Sequence, residues 1–218
     1  MFAADPHSDQ PVLRAGEALE SATSAMILLH GRGAGADDIL PLADQIGADG
    51  MVYLAPQAAG STWYPFSFLM PIDQNEPFLS SALATVGRLV STVEDAGIPL
   101  ERIVLAGFSQ GACLACEFAA RNAARYGAVL GFSGGLIGAD ETPRDYSGSL
   151  SGTPVFLGCS DIDPHIPLAR VETTAEIMDR LGGSVDKRIY PGMAHTINRD
   201  EIAAASLIVH SISSDDGQ

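Results

Sequence analysis

The sequence predicts a single-domain α/β fold, with a mostly parallel central sheet and helices on both of its faces. Short apolar runs of the size of buried strands alternate with longer segments that have helical spacing. Turns that carry glycine, acidic and histidine residues follow several of these runs, at the edge where open α/β sheets bind ligands. With 218 residues and 46% apolar content, one ordinary domain suffices, and no large cap domain is expected.

The first half of the chain predicts four strands and two helices. The polar residues 1–10 are expected to be a disordered tail before a domain over residues 11–213, and residues 214–218 a second tail. Proline and glycine punctuation bounds the elements that lie between. The predicted strands are 12–19 (an edge strand), 25–29, 51–55 and 103–106, and the predicted helices are 37–47 and 78–96.

The second half continues the same alternation, since each apolar run is again followed by a turn or a helical period. Its predicted helices are 110–121, 167–181 and about 201–211, and its predicted strands are 128–130, 154–158 and 184–190. We expect the closing helix to follow a turn that presents His195 just beyond the last strand.

The most informative stretch is Gly107–Gly111, where one serine lies in a glycine frame between a strand and a helix. A chain that passes from strand to helix without a loop strains its apex residue and leaves no room for neighbouring side chains. Ser109 is therefore predicted to be the nucleophile of a GxSxG elbow. Ser133 satisfies the same pattern, but no amphipathic helix follows it, so we expect it to end a strand.

The glycine turn after the second strand supports two hypotheses. Gly31, Gly33 and Ala36 satisfy a variant of the dinucleotide fingerprint between a strand and a helix. No acidic residue ends the next strand, however, and Asp37 and Asp38 place negative charge where a pyrophosphate would lie. The other hypothesis is an oxyanion hole, in which the backbone N–H groups of Arg32 and Gln110 would stabilise a developing negative charge.

The order serine, acid, histidine predicts that His195 is the general base for Ser109. Asp163 is preferred over Asp161 as the acid, because Pro164 fixes the turn that follows it. His30 is expected to fix its loop rather than to act as the base. No spacing typical of a metal site connects the histidines and acids, so neither a metal nor another cofactor is expected.

The long segment between Pro56 and Pro77 is rich in aromatic side chains. Such a loop could cover the core or form the wall of an acyl or alcohol pocket, since ligand sites are mostly apolar. The residues predicted to bind substrate are Trp63, Tyr64 and Phe66.

The composition argues against nucleic acid as a partner. A net charge of −15 opposes binding to nucleic acid, and an acidic surface with a single lysine is also consistent with salt tolerance. We expect a cytoplasmic protein, because no secretory signal or membrane-spanning run is visible and the three cysteines form no disulfide framework. The pair Cys113 and Cys116 is interpreted as helix packing rather than as a redox motif. The sequence leaves the oligomeric state open, with a homodimer as one alternative.

Four segments together resemble the phospholipase/carboxylesterase family of small α/β-hydrolases, which includes acyl-protein thioesterases: LLHGRGAG, GFSQGA, SDIDPHIP and YPGMAH. The resemblance implies an α/β-hydrolase fold, with Ser109, Asp163 and His195 as catalytic residues and the amides of Arg32 and Gln110 as the oxyanion hole. Many relatives carry leucine at the position of Arg32, where a guanidinium could favour acidic substrates. We expect a serine carboxylesterase for short to medium acyl esters. The alternatives are a thioesterase or lysophospholipase of the same family, and, outside catalysis, a binding protein of the same fold or a dinucleotide binder.

Overall fold

A seven-stranded sheet forms the centre of the protein in its computed structural model, which describes residues 5–213. The strands are β1 (Val12–Gly16), β2 (Ser24–Leu29), β3 (Met51–Pro56), β4 (Ile103–Phe108), β5 (Ala128–Phe132), β6 (Pro154–Ser160) and β7 (Ser184–Tyr190). Their order in the sheet is β1-β3-β2-β4-β5-β6-β7, with β1 antiparallel to β3 and the other neighbouring pairs parallel. The predicted mostly parallel sheet is confirmed.

Helices cover both faces of this sheet, as predicted. They are α1 (Ala36–Ile39), α2 (Ala43–Ile46), α3 (Phe78–Asp95), α4 (Gln110–Arg121), α5 (Leu168–Arg180) and α6 (Arg199–Ser213). Because strand side chains alternate between faces, β2 directs Ile27 into a core with α3, α4 and α5, and directs Met26 into a second core with α1, α2 and α6. Among the helices of residues 5–213, none combines the length and apolar character that crossing a bilayer requires.

The helix predicted over residues 37–47 is wrong as a single element. Instead, α1 and α2 are two short helices joined by a 3-10 turn over Leu40–Leu42. Pro41 lies in that turn, and proline supplies no backbone N–H and obstructs the preceding helical turn, so a continuous α-helix is disfavoured there. The segment still packs its apolar side chains on the sheet, because Ile39, Leu42 and Ile46 are all buried.

The N-terminal segment also differs from its prediction. Residues 5–10 are not a free tail: His7 is buried, its backbone N–H donates to Ser81 Oγ at 3.0 Å, and its ring contacts Trp63. The ring Nε2–H donates to the carbonyl of Trp63, and Nδ1 accepts from the N–H of Ala59, both at 3.0 Å. The hydrogen bonds of the His7 imidazole therefore hold this polar segment against the domain. Residues 1–4 and the predicted tail over 214–218 lie outside the described residues.

Candidate active site

Ser109 occupies the apex of the turn between β4 and α4, with φ of 54° and ψ of −118°. This conformation is unfavourable for a residue with a side chain, and it persists only where the surroundings impose it. Gly107 and Gly111 provide the reason. A Cβ at Gly111 would lie 2.0 Å from the carbonyl oxygen of Leu29, and one at Gly107 would lie 2.4 Å from Gly111 backbone atoms. Only glycine fits at these positions, so the predicted elbow geometry is confirmed.

The turn after β7 brings His195 to this serine. His195 Nε2 lies 2.9 Å from Ser109 Oγ, and His195 Nδ1 lies 2.7 Å from Asp163 Oδ2. An ionised carboxylate only accepts hydrogen bonds, so Asp163 fixes the proton on Nδ1 and leaves the lone pair of Nε2 facing the serine hydroxyl. This tautomer is the one that a general base needs.

The surroundings of the Asp163 carboxylate favour its ionised form. Its side chain is fully buried, and burial alone would raise its pKa. The bond to His195 and those to Oδ1 from the N–H groups of His165 (2.8 Å) and Ile166 (3.0 Å) outweigh burial and hold the pKa below its usual range. Asp161, the alternative acid, instead accepts from the N–H of Gly192 at 2.7 Å and braces the turn that carries the histidine.

The glycine turn after β2 lies directly beside the serine. A Cβ at Gly31 would lie 3.5 Å from the Cβ of Ser109, so the backbone of this turn comes close to the serine. His30 fixes the turn, as expected: its Nδ1–H donates to the carbonyl of Gly31 at 2.8 Å, and its Nε2 accepts from the N–H of Ala58 at 3.0 Å. Burial lowers the pKa of His30, in agreement with a neutral ring.

The same region offers little to a dinucleotide. The N–H groups that would face a phosphate at the start of α1 are already bonded within the protein: that of Gly35 donates to Asp38 Oδ2 at 2.7 Å and that of Ala36 donates to Gln57 Oε1 at 2.9 Å. α1 is also only four residues long, so its dipole is weak.

A cavity of about 670 Å³ opens above Ser109 and His195, within the range of small-molecule sites. Its wall includes two of the three predicted substrate-binding residues, Phe66, which is exposed, and Tyr64, which is almost fully buried. Its other apolar lining comes from Pro65, Phe68, Phe108, Cys113 and Ile166. The prediction that Trp63 binds substrate is wrong. It is fully buried behind the wall and donates from its indole nitrogen to the carbonyl of His30 at 2.9 Å, so it supports the glycine turn and does not line the cavity.

Competing sequence candidates lie elsewhere or are inert. Ser133 is fully buried at the end of β5 and no helix follows it directly, as expected. Cys113 and Cys116 are free buried thiols on α4, and burial raises the pKa of Cys113 to about 12. Among residues 5–213, no group of three His, Cys, Asp or Glu side chains is arranged to hold a metal ion.

The sequence did not indicate what two side chains near the site do. The side-chain oxygen of Gln110 accepts from the N–H of Trp63 at 2.9 Å, and its amide nitrogen donates to the carbonyl of Tyr64 at 2.8 Å. The ring of His165 packs edge-on against His195 with 4.9 Å between ring centroids. Neither contact has a signal in the sequence, because each joins segments far apart in the chain.

Known proteins resemble this chain over nearly its whole length. The profile of the phospholipase/carboxylesterase family matches residues 14–212. A solved phospholipase/carboxylesterase structure from Dyadobacter fermentans is 42% identical and has a TM-score of 0.89, covering 98% of this chain and 99% of that one. Acyl-protein thioesterase 1 of Debaryomyces hansenii is 25% identical over 93% of this chain and 97% of its own length. For the protein of that name from Gibberella zeae, which is 33% identical, the match spans 52% of this chain and about half (49%) of the relative. This chain therefore belongs to the phospholipase/carboxylesterase family, as its four motifs implied.

Proposed function

We propose that the protein is a serine carboxylesterase that cleaves short to medium acyl esters through an acyl-enzyme intermediate. The observation that carries this proposal is the continuous hydrogen-bonded series from Ser109 Oγ through His195 to Asp163, placed at the floor of an apolar cavity. A neutral imidazole with its proton on Nδ1 can take the hydroxyl proton as the oxygen attacks the ester carbonyl.

The charge that develops on the carbonyl oxygen needs donors that are already in position. The backbone N–H of Gln110, the residue after the nucleophile, and that of Arg32, in the turn beside Ser109, are assigned this role. As the tetrahedral intermediate collapses, His195 returns its proton to the departing alcohol. A water molecule then attacks the acyl-enzyme, with His195 again as the base, and releases the acid and Ser109.

A second candidate reaction is hydrolysis of thioesters. It is favoured by the relatives that carry the name acyl-protein thioesterase 1. The same residues would serve both reactions, because an acyl-enzyme forms whether an alcohol or a thiol departs. A lysophospholipid, whose acyl group is also an ester, is the third substrate class to compare.

A fluorophosphonate probe tests the nucleophile directly, since it forms a covalent adduct only with an activated serine. We expect one adduct per chain, at Ser109, and p-nitrophenyl butyrate hydrolysis that falls about 10⁶-fold in Ser109→Ala. Ser133→Ala is the matched control, because Ser133 lies in the second GxSxG pattern yet is buried away from the cavity. Labelling that survives Ser109→Ala, or that is lost in Ser133→Ala, would refute the assignment.

The remaining sequence expectations belong to the same proposal. We infer a catalytic domain over residues 11–213, extended towards the N-terminus by the ordered residues 5–10. A cytoplasmic location, salt tolerance and activity without a metal or other cofactor are kept as predictions, as is a homodimer as one alternative for the assembly. Activity in the presence of a chelator and in about 1 M salt, where charge screening is nearly complete, would test two of them.

A further inference from the structure

The side chain of Arg32 makes an arrangement that its backbone role does not require. Its guanidinium donates to three consecutive carbonyl groups of the loop that walls the cavity: to Tyr64 at 3.0 Å, Pro65 at 2.8 Å and Phe66 at 2.6 Å. The guanidinium carbon also lies 6.0 Å from the centre of the Tyr64 ring. Charge-assisted hydrogen bonds of this kind are stronger than neutral ones, and the planar fork of arginine suits several acceptors at once.

Residues 62–68, the wall loop, include five consecutive residues that line the cavity, 64–68. The other residue assigned to the oxyanion hole holds the same loop, because the side chain of Gln110 also donates to the carbonyl of Tyr64. One carbonyl oxygen of the wall loop thus accepts from the side chains of both residues whose N–H groups are assigned to the oxyanion. On the far side, Asn75 accepts from the N–H of Phe66 at 2.9 Å and donates to the carbonyl of Ser67 at 3.1 Å.

We propose that Arg32 is a positioning residue that fastens the wall of the acyl pocket to the oxyanion turn, so that an acyl chain lying against the wall is registered with the reacting carbonyl. This inference rests on the esterase function proposed above. Its consequence is a dependence on chain length: an acetyl group barely reaches the wall, whereas a longer acyl chain relies on it. Three of the five guanidinium N–H groups are directed at the wall loop, which favours fastening over the reception of an acidic substrate.

Removal of the guanidinium tests this role. Arg32→Met keeps the backbone N–H and most of the apolar stem, and Arg32→Lys keeps the charge but loses the planar fork. Arg14→Met is the matched control, because Arg14 is an exposed arginine on β1 that does not line the cavity. The substrates are p-nitrophenyl acetate, butyrate and octanoate, together with mono-p-nitrophenyl succinate as an acidic ester.

For Arg32→Met we expect kcat/KM to fall about threefold for the acetate and about thirtyfold for the octanoate, with most of the increasing loss in KM. Arg32→Lys should give an intermediate dependence on length, and Arg14→Met should behave like the wild type. Hydrogen exchange provides a second readout: amides of the wall loop should exchange faster in Arg32→Met. If that variant fails to fold, the length dependence of Arg32→Lys still decides the matter.

Three results would overturn the inference. They are a loss of equal size for all acyl lengths, no loss at all, and a loss confined to the succinate ester, which would assign the guanidinium to anion recognition. An inactive wild-type protein would instead refute the esterase proposal, so the two failures are distinguishable.

Discussion

Glu201 gives a stability prediction that follows directly from its surroundings. It lies in the first turn of α6 and is fully buried. Its Oε2 accepts from the N–H of Asn198 at 2.7 Å, and within residues 5–213 Oε1 has no hydrogen-bond partner. A Cβ at Gly158 would lie 2.1 Å from Oε1, so the carboxyl group packs tightly against β6. Burial raises the pKa of Glu201 to about 7, against an ordinary value of 4.5.

The sign of the effect on stability follows from proton binding. Between pH 4.5 and about 7 the folded protein keeps the Glu201 proton while the unfolded chain releases it, so the free energy of unfolding falls as pH rises. The contribution is complete below the unfolded pKa and lost above the folded one. At 1.36 kcal/mol per pH unit, the total change from this group is about 3 kcal/mol.

Glu201→Gln removes the titration and leaves the shape of the side chain. Urea unfolding of both proteins from about pH 5 to pH 8 should show the variant gaining about 2–3 kcal/mol relative to the wild type as pH rises, because only the wild type acquires a buried charge. Glu20→Gln, which neutralises an exposed carboxylate, is the control for loss of a charge. A difference between Glu201→Gln and wild type that stays constant over this range would refute the reasoning.

Two further predictions concern the site and its thiols. Asp163→Asn should lower kcat by about 10⁴-fold, because the histidine tautomer is no longer fixed. Asp161→Asn keeps an acceptor for the N–H of Gly192 and should lower kcat less than about tenfold. Steady-state kinetics showing the reverse order would contradict the assignment of Asp163 as the acid. A thiol reagent should modify no cysteine of the folded protein and three after denaturation. The reason is that burial raises the pKa of Cys113 and Cys159 to about 12, which suppresses the reactive thiolate. Rapid reaction in the folded state would support a redox role for Cys113 and Cys116.

Features of the site that depend on local geometry could be predicted from the sequence. The elbow is one, because its strand, turn and helix start follow one another in the chain, and a Cβ at Gly107 would clash with backbone of the same turn at Gly111. The clash at Gly111 is with Leu29 on the neighbouring strand β2, so the GxSxG pattern predicts the glycine there without showing which atoms require it. For the acid, the proline after Asp163 favoured this residue over Asp161, but local pattern indicated no separate role for Asp161. Both follow the same buried strand, and only the path of the turn after β7 decides which carboxylate meets the imidazole and which meets the N–H of Gly192.

Apolar composition misled the interpretation of the loop after β3. Trp63 and Tyr64 are adjacent aromatic residues in a segment without regular period, and both are buried, but only Tyr64 borders the cavity. Trp63 lies behind the wall of the cavity, where its indole N–H donates to the carbonyl of His30. A buried indole needs such a partner. The same principle holds for His7. Its ring donates to the carbonyl of Trp63 and accepts from the N–H of Ala59, and these two hydrogen bonds hold a segment that is polar by composition against the domain.

The assignment of Arg32 illustrates why a catalytic motif can leave a side chain unexplained. The proposed chemistry uses only the backbone N–H at this position, which every residue except proline can supply, so the oxyanion hole places no demand on the side chain. The side chain at this position can therefore have a different role. The guanidinium of Arg32 donates to the carbonyls of Tyr64, Pro65 and Phe66, more than thirty positions further along the chain. Leucine at this position would preserve the donor and remove the connection to the wall. The expected difference between such enzymes therefore lies in how the rate depends on acyl length, and not in whether the ester is cleaved.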